Sequence, residues 1–215
     1  KITGGQRIDL LGVRKEQLPA IWKDLGIPSG HAYTKAVRTV KTCVGEEFCR
    51  YGVGDSTSLG IKIEKRFQGM EAPHKIKMAV SGCPRNCAES LVKDVGVVAI
   101  EGGRWEVYVG GAAGSCVRKG DVLCTVDTHE EVIKFVGRFI QYYREHAKYL
   151  ERTYGFLERL GIDKLRQVLV DDCEGICERL DAEIDRASES YTDPWQEGTA
   201  PIHPLQFVES VGVGQ

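Results

Sequence analysis

The spacing of apolar residues changes period several times along the chain, and each change marks an expected element. Ile2, Ile8 and Leu10 alternate loosely with polar neighbours, which predicts a strand within residues 1–13. KEQLPAIWKDLG (15–26) keeps helical spacing and is stopped by Gly26 and Pro28, so a short amphipathic helix is expected there. Val37 to Lys41 reads as a strand running toward Cys43, and SLGIKIEKRFQG (58–69) as a helix that ends at Gly69. HKIKMAVSG (74–82) alternates strictly, with Ile76, Met78 and Val80 on one face and Lys75 and Lys77 on the other. VGVVAIEGGRWEVYVGG (95–111) is two β-runs joined at Gly102-Gly103, a hairpin signal. From Thr128 the period becomes helical. Thr128 and Glu131 form a capping box, and Val132, Phe135, Val136, Phe139, Ile140 and Tyr143 follow on one face. Further short helices are expected to about Ala187. The segment beyond carries three prolines and the aromatics Tyr191, Trp195 and Phe207, and is expected to wrap over a surface. No internal repeat is visible. The chain thus divides at about residues 35 and 127, into a short opening segment, a mixed α/β stretch and a helical remainder.

Composition adds limits rather than direction. With 215 residues the chain is long enough to bury a core. Its 29 Lys and Arg against 31 Asp and Glu leave a net charge of −2, with no whole-protein attraction to nucleic acid or membrane. No apolar run reaches the eighteen or so residues a membrane helix needs. The chain starts at Lys within a strand-like pattern and shows no signal peptide, so it is expected to be a fragment of a longer protein. Eight cysteines without a targeting segment fit a reducing, cytoplasmic setting better than a disulfide framework.

Four of those cysteines fall in two tight pairs, Cys43-x5-Cys49 and Cys83-x3-Cys87. Four thiolates are the usual ligand set of a [4Fe–4S] cluster. A structural zinc site prefers gaps of two to four residues, which the first pair does not keep. Four buried reduced cysteines acting as small hydrophobes are the bland alternative. Pro84 suits a first helical position, so Cys83 is expected at a helix start with Cys87 one turn on, on the same face. Cys116 and Cys124 flank the basic pair Arg118-Lys119, and Cys173-x3-Cys177 lies in the acidic stretch DDCEGICERLDAEID, which would repel an anionic cluster. All four are expected to be ordinary thiols. Lys75 and Lys77, side by side on the strand that enters Cys83, read either as an anion site or as a solvated polar face.

The two cysteine pairs, the second written GCPRNC, resemble those of the siroheme-containing nitrite and sulfite reductases. TVKTCVGEEFCRYGVGDST, HKIKMAVSGCPRNCAES and VGVVAIEGGRWEVYVGG are similar to the carboxy-terminal part of NAD(P)H-dependent nitrite reductase large subunits. KITGGQRIDLLGV is similar to the small ferredoxin-like half-domain that precedes the siroheme domain. The resemblance runs from Lys1 to about Val109 and is only general over the last sixty or so residues. It implies an α+β fold. A partial ferredoxin-like half-domain would occupy 1–35, a siroheme and [4Fe–4S] binding domain of mixed sheet and helices 36–127, and a helical extension with a wrapping tail 128–215. It also implies that Cys43, Cys49, Cys83 and Cys87 ligate the cluster, with Cys87 shared as axial thiolate to the siroheme iron.

Further roles follow from the resemblance. Pro73-His74-Lys75-Ile76-Lys77 matches the P-x-K-x-K strand whose lysines meet the substrate anion, and Arg38 stands where the family has an arginine in the same pocket. The family's T-x-R-Q strand departs here to Thr3-Gly4-Gly5-Gln6, so its arginine is replaced by Gly5. Arg7, two residues beyond Gln6's neighbour Gly5 and on the same strand face, is the candidate to take over. The eight siroheme carboxylates need many donors, for which Arg7, Arg38, Arg50, Lys62, Lys65, Arg66 and Arg85 are candidates. His31, His129, His146 and His203 are expected on the surface or in caps, and Trp22, Trp105 and Trp195 in packing.

The implied activity is six-electron reduction of nitrite to ammonia at the siroheme iron. A sulfite reductase would use the same parts; a non-catalytic iron–sulfur electron-transfer domain or a zinc-stabilised domain stands as the reading from another class. The glycines of Val109-Gly110-Gly111-Ala112-Ala113-Gly114 do not keep dinucleotide-binding spacing. FAD and NAD(P)H would therefore act only through donor domains of a longer chain, with a small companion subunit. One chain holds both the lysines and the cysteines, which suggests a two-fold homodimer with sites shared between chains.

Overall fold

A computed structural model describes residues 1–193, 195, 204, 205, 207 and 208. These form two compact units, one of residues 1–30 with the described residues from 191 onward, the other of residues 31–190.

In the first unit the expected strand over 1–13 is not formed. Thr3 N–H donates to the Arg7 carbonyl at 2.8 Å, and Gln6 takes a left-handed φ of 58°, so Gly4-Gly5 turns the chain back on itself. Ile2 and Ile8 pair with each other in a single antiparallel bridge. The helix expected next is present as a 3-10 turn, Lys15–Gln17, leading into α1 (Leu18–Leu25). Gly26 closes it at φ 58°, where a side chain would be strained. Trp22 of α1 stacks on Trp195 (5.7 Å between centroids, 16°) and meets Phe207 edge-on at 5.6 Å. Residues 194, 196–203, 206 and 209–215 of the expected wrapping tail lie outside the described residues.

The second unit is built on a mixed sheet. Its strands are β1 (Val37–Thr42), β2 (Ile76–Ser81), β3 (Val95–Ile100) and β4 (Arg104–Val109), followed by the short ribbon β5 (Ala112–Ala113) and β6 (Val117–Arg118), then β7 (Asp121–Val126). The order is β1-β2-β3-β4-β7, parallel from β1 to β3 and antiparallel thereafter. Two parallel crossovers carry helix α2 (Gly45–Phe48) with α3 (Ser56–Phe67), and the cysteine loop with a 3-10 turn, Ser90–Val92. The β3–β4 hairpin turns at Gly102 and Gly103, both at positive φ.

Helices α4 (His129–His146), α5 (Thr153–Leu160), α6 (Ile162–Leu169) and α7 (Cys177–Glu189) follow and share one hydrophobic core with the sheet. The capping box forms as expected: Thr128 Oγ1 accepts from Glu131 N–H at 3.2 Å, and Glu131 accepts from Thr128 N–H at 3.0 Å. Arg138 of α4 donates to both Asp181 oxygens (2.9 and 2.7 Å) and to the Leu169 carbonyl (3.2 Å), which locks α4, α6 and α7 together. Among the described residues no helix is long and apolar enough to cross a membrane.

Strand β2 has two different faces. Ile76, Met78 and Val80 are buried in the core, while Lys77 is exposed on the opposite face. Farther along that opposite face Ala79 and Ser81 are also buried, and the Ser81 and Ser90 hydroxyls bond at 2.8 Å. The sheet is therefore open at the lysine end and closed at the cysteine end.

Candidate functional site

Because β1 and β2 are parallel neighbours, their carboxyl ends deliver both cysteine pairs to the same edge of the fold. Cys43 directly follows β1 and extends its ladder, donating its N–H to Val80 O at 3.3 Å. Cys49 closes α2, and Cys83 stands one residue beyond Ser81–Gly82 at the end of β2. Gly82 joins the two loops. Its N–H donates to Cys43 Sγ at 3.1 Å, and its carbonyl accepts from Val53 N–H (2.8 Å) and Gly54 N–H (3.2 Å). A Cβ at Gly82 would lie 2.8 Å from both Gly45 Cα and Gly54 O, so the loops touch backbone to backbone.

The segment from Cys83 to Cys87 corrects the sequence reading. It is two consecutive turns, not a helix start: Asn86 N–H donates to Cys83 O at 3.2 Å, and Glu89 N–H to Asn86 O at 2.8 Å. Asn86 (φ 58°) and Glu89 (φ 60°) are both left-handed, which a helix does not allow. The Asn86 amide oxygen accepts from Leu91 N–H at 3.1 Å and fixes this geometry. Ala88 N–H donates to Ser81 Oγ at 3.3 Å, and the Glu89 carboxylate pairs with Lys41 (3.2 Å) and Lys93 (2.9 Å). Cys83 is buried and Cys87 exposed.

The donor chemistry fits an iron–sulfur cluster. Burial opposes ionisation of Cys43, but the Ser56 hydroxyl at 3.3 Å and the N–H groups of Gly82 and Gly45 outweigh it and hold this thiol below its usual pKa. Such donors to sulfur also tune iron–sulfur centres. Among the described residues no three Cys, His, Asp or Glu side chains converge on the position of a single metal ion. The other cysteines have protonated thiols where burial is strongest. Cys124 is pushed up to about 12 by burial and Glu131, and Cys177 to about 11 by burial and its contact with Asp172.

The open face brings together Arg38, Lys75 and Lys77. Burial and Lys75 lower the Lys77 pKa; Asp94 acts in the opposite sense, and Arg152 and Arg38 add to the lowering. The Arg38 guanidinium is held by the carbonyls of Ala32 (3.0 Å) and Tyr33 (3.2 and 3.0 Å). His74 Nδ1 accepts the Lys75 N–H at 2.8 Å, and burial, Arg152 and Lys75 lower its pKa, so its proton is assigned to Nε2. Arg50 and Arg85, one from each cysteine loop, lie over the same Tyr51 ring at 4.6 and 3.9 Å, and Arg50 donates to its hydroxyl at 2.7 Å.

Other candidates lie elsewhere. Arg7 belongs to the first unit, where its side chain packs against Gly30. On α3, Lys62 pairs with Glu130 of α4 at 3.2 Å and Arg66 pairs with Asp185 of α7, so both serve the helical layer; Lys65 is exposed. His31 is buried with a left-handed φ of 45°, not on the surface as expected. His129 packs edge-on against the buried Trp105 at 5.2 Å, and His146 stacks on Tyr142 at 4.1 Å. His203 lies outside the described residues. Sequence reasoning missed Tyr51, Asp94 and Arg152. Only Tyr51 carried a signal, its place two residues after Cys49.

Residues 33–175, well over half the chain, match the family described as the nitrite and sulphite reductase 4Fe-4S domain. The chain belongs to this family. Over 197 residues this family member is 55% identical to the nitrite reductase [NAD(P)H] of Bacillus subtilis (strain 168), covering 92% of the chain and 24% of that relative. It is 37% identical over 170 residues to the assimilatory-type sulfite reductase of Nitratidesulfovibrio vulgaris, covering 79% of the chain and 78% of the relative. The fold is also that of the NirA protein of Mycobacterium tuberculosis, with a TM-score of 0.63 at 22% identity over 73% of this chain and 31% of that one. The chain spans about a quarter of the length of the Bacillus nitrite reductase it matches (24%).

Proposed function

We propose that this chain is the siroheme and [4Fe–4S] module of an NAD(P)H-dependent nitrite reductase, converting nitrite to ammonium. The observation that carries the reading is the Gly82 junction, which closes two cysteine loops on each other at the carboxyl ends of β1 and β2. The 55% identity to the Bacillus nitrite reductase supports nitrite as the substrate.

Cys43, Cys49, Cys83 and Cys87 would hold the cluster, and the exposed Cys87 would also bind the siroheme iron through its thiolate. Arg50 and Arg85, one from each cysteine loop, would meet siroheme carboxylates. When bound, the two groups supply electrons singly to the substrate. The chain's own task is charge and protons. Lys75, Lys77 and Arg38 attract the anion, orient it and hold N–H protons where oxygen leaves as water. Six electrons and eight protons turn nitrite into ammonium and two waters, so proton supply at this face is part of the chemistry.

The electrons would come from flavin and nicotinamide domains of a longer cytoplasmic chain, with a small companion subunit. Lys77 and Cys83 are six residues apart on an extended strand, roughly 20 Å at about 3.3 Å per residue. A two-fold homodimer, each site taking lysines from one chain and cysteines from the other, would bring them together. Mixed dimers of a Cys87→Ser chain with a Lys75→Ala, Lys77→Ala chain should then regain part of the activity; no regain excludes shared sites.

The activity itself is tested with the full-length protein and a reduced one-electron dye. Oxidation of about six dye molecules per nitrite, with ammonium as product, is the expected stoichiometry for this conversion. Release of nitric oxide, or no turnover, would refute it. The relation to the Nitratidesulfovibrio sulfite reductase favours sulfite as the second reading, and the same assay with sulfite ranks the two by kcat/KM.

A further inference from the structure

A cation that no sequence pattern marks stands beside the lysines. Arg152 lies between α4 and α5, far along the chain from β2. Its Nη2 donates to both oxygens of Asp94 at 3.0 Å. Asp94 is only 1% exposed, and it also accepts the Lys77 N–H at 2.9 Å and the Thr153 hydroxyl. One buried carboxylate therefore ties Arg152 to the backbone of the strand that carries Lys75 and Lys77. Lys77 and His74 both have Arg152 as a positive neighbour.

Lys75, Arg152 and Arg38 all act on Lys77 as positive neighbours, with Asp94 acting against them, and His74 Nδ1 is occupied by the Lys75 N–H. Only Nη2 of Arg152 is spent on Asp94. Its Nε is buried and without a hydrogen-bond partner among the described residues. A buried N–H left unpaired is costly, and an arriving acceptor removes that cost.

We propose that Arg152 is a fourth cation of the anion site, fixed by Asp94 as positioning residue, and that its unpaired Nε–H donates to an oxyanion. That anion is either nitrite or a carboxylate of the siroheme rim, which share the recognised chemistry. The inference rests on the reading of this face as the reductase site.

The test uses the full-length protein with Arg152→Met, Arg152→Lys and, as control, Lys77→Met. Two quantities are read: siroheme per chain from the absorption spectrum, and the nitrite concentration that half-shifts that spectrum. Arg152→Met is expected to worsen one of them about tenfold or more, the effect of one charged hydrogen bond, in protein that is still folded at the assay temperature. Arg152→Lys keeps the charge and the Asp94 pair but loses Nε, and is expected to fall in between. A loss confined to the nitrite titration assigns the anion as substrate; a loss of siroheme assigns it as a rim carboxylate. Values within about twofold of the parent in both readouts, for either variant that folds, overturn the proposal. If Arg152→Met does not fold, Arg152→Lys decides alone. If Lys77→Met weakens nitrite binding and the Arg152 variants do not, the fourth cation falls and the site stands. If Lys77→Met is also silent, the reading of the site falls with it.

Discussion

The peptide N–H of Gly82 points at the sulfur of Cys43, 3.1 Å away, across two loops separated by a whole crossover. Nothing larger than hydrogen fits at Gly82, since a Cβ there would sit 2.8 Å from Gly45 Cα. Gly82→Ala should therefore push the loops apart and remove the N–H···S bond. Iron content and iron–sulfur absorbance should fall severalfold while far-ultraviolet circular dichroism stays near that of the parent. Full iron loading in the alanine variant would show that the junction is not what sets the cysteines.

Cys87 and Cys173 are both exposed members of C-x3-C pairs, yet they stand in different chemistry. Cys87→Ser is expected to abolish the coupling between siroheme and cluster, and Cys173→Ser to leave the spectrum unchanged. Bleaching of the iron–sulfur absorbance by Cys173→Ser, with Cys43→Ser harmless, would reverse the ligand assignment.

Lys75 and Lys77 share the open face, and each is offered as a donor to developing charge. Loss of one such donor is worth about 3–4 kcal/mol, so Lys75→Met or Lys77→Met should lower turnover about a hundredfold or more. Cofactor content should not change. Undiminished rates with an artificial donor would return both residues to the role of a solvated strand face.

How much of this was legible in the chain depends on how local each feature is. The Gly102-Gly103 hairpin and the Thr128–Glu131 box each sit within a few residues and form as read. In contrast, β2 forms as a strand but alternates in burial only from Ile76 to Met78, because its other face is covered at Ala79 and Ser81. The strand over 1–13 failed because Gly4-Gly5 and Gln6 let the segment pair with itself. The helix at Cys83 failed because Pro84 is compatible with a turn as well as a helix, and Asn86 decides between them by going left-handed. Asp94 and Arg152 left no trace, since the pair joins residues 58 apart and neither lies in a motif.

Glu64 of α3 accepts the Val40 N–H at 3.0 Å from a largely buried position, and burial raises its pKa above the usual 4.5. Between the unfolded and folded pKa the folded chain holds the extra proton, so this group's contribution to stability falls as pH rises through that window. Glu64→Gln keeps an acceptor for Val40 and removes the charge. It should raise the unfolding temperature at pH 7, with the gain vanishing below about pH 4, where the unfolded carboxyl is protonated too. An unfolding temperature lowered at pH 7 would contradict this.

The central claim is that four thiols and a basic face in this chain serve a siroheme joined to a [4Fe–4S] cluster and turned toward nitrite. The absorption spectrum of the purified full-length protein, recorded before and after addition of nitrite, tests it most directly. Soret-type and red-end bands that shift with nitrite are the predicted result; a plain brown iron–sulfur spectrum or a colourless protein would contradict it.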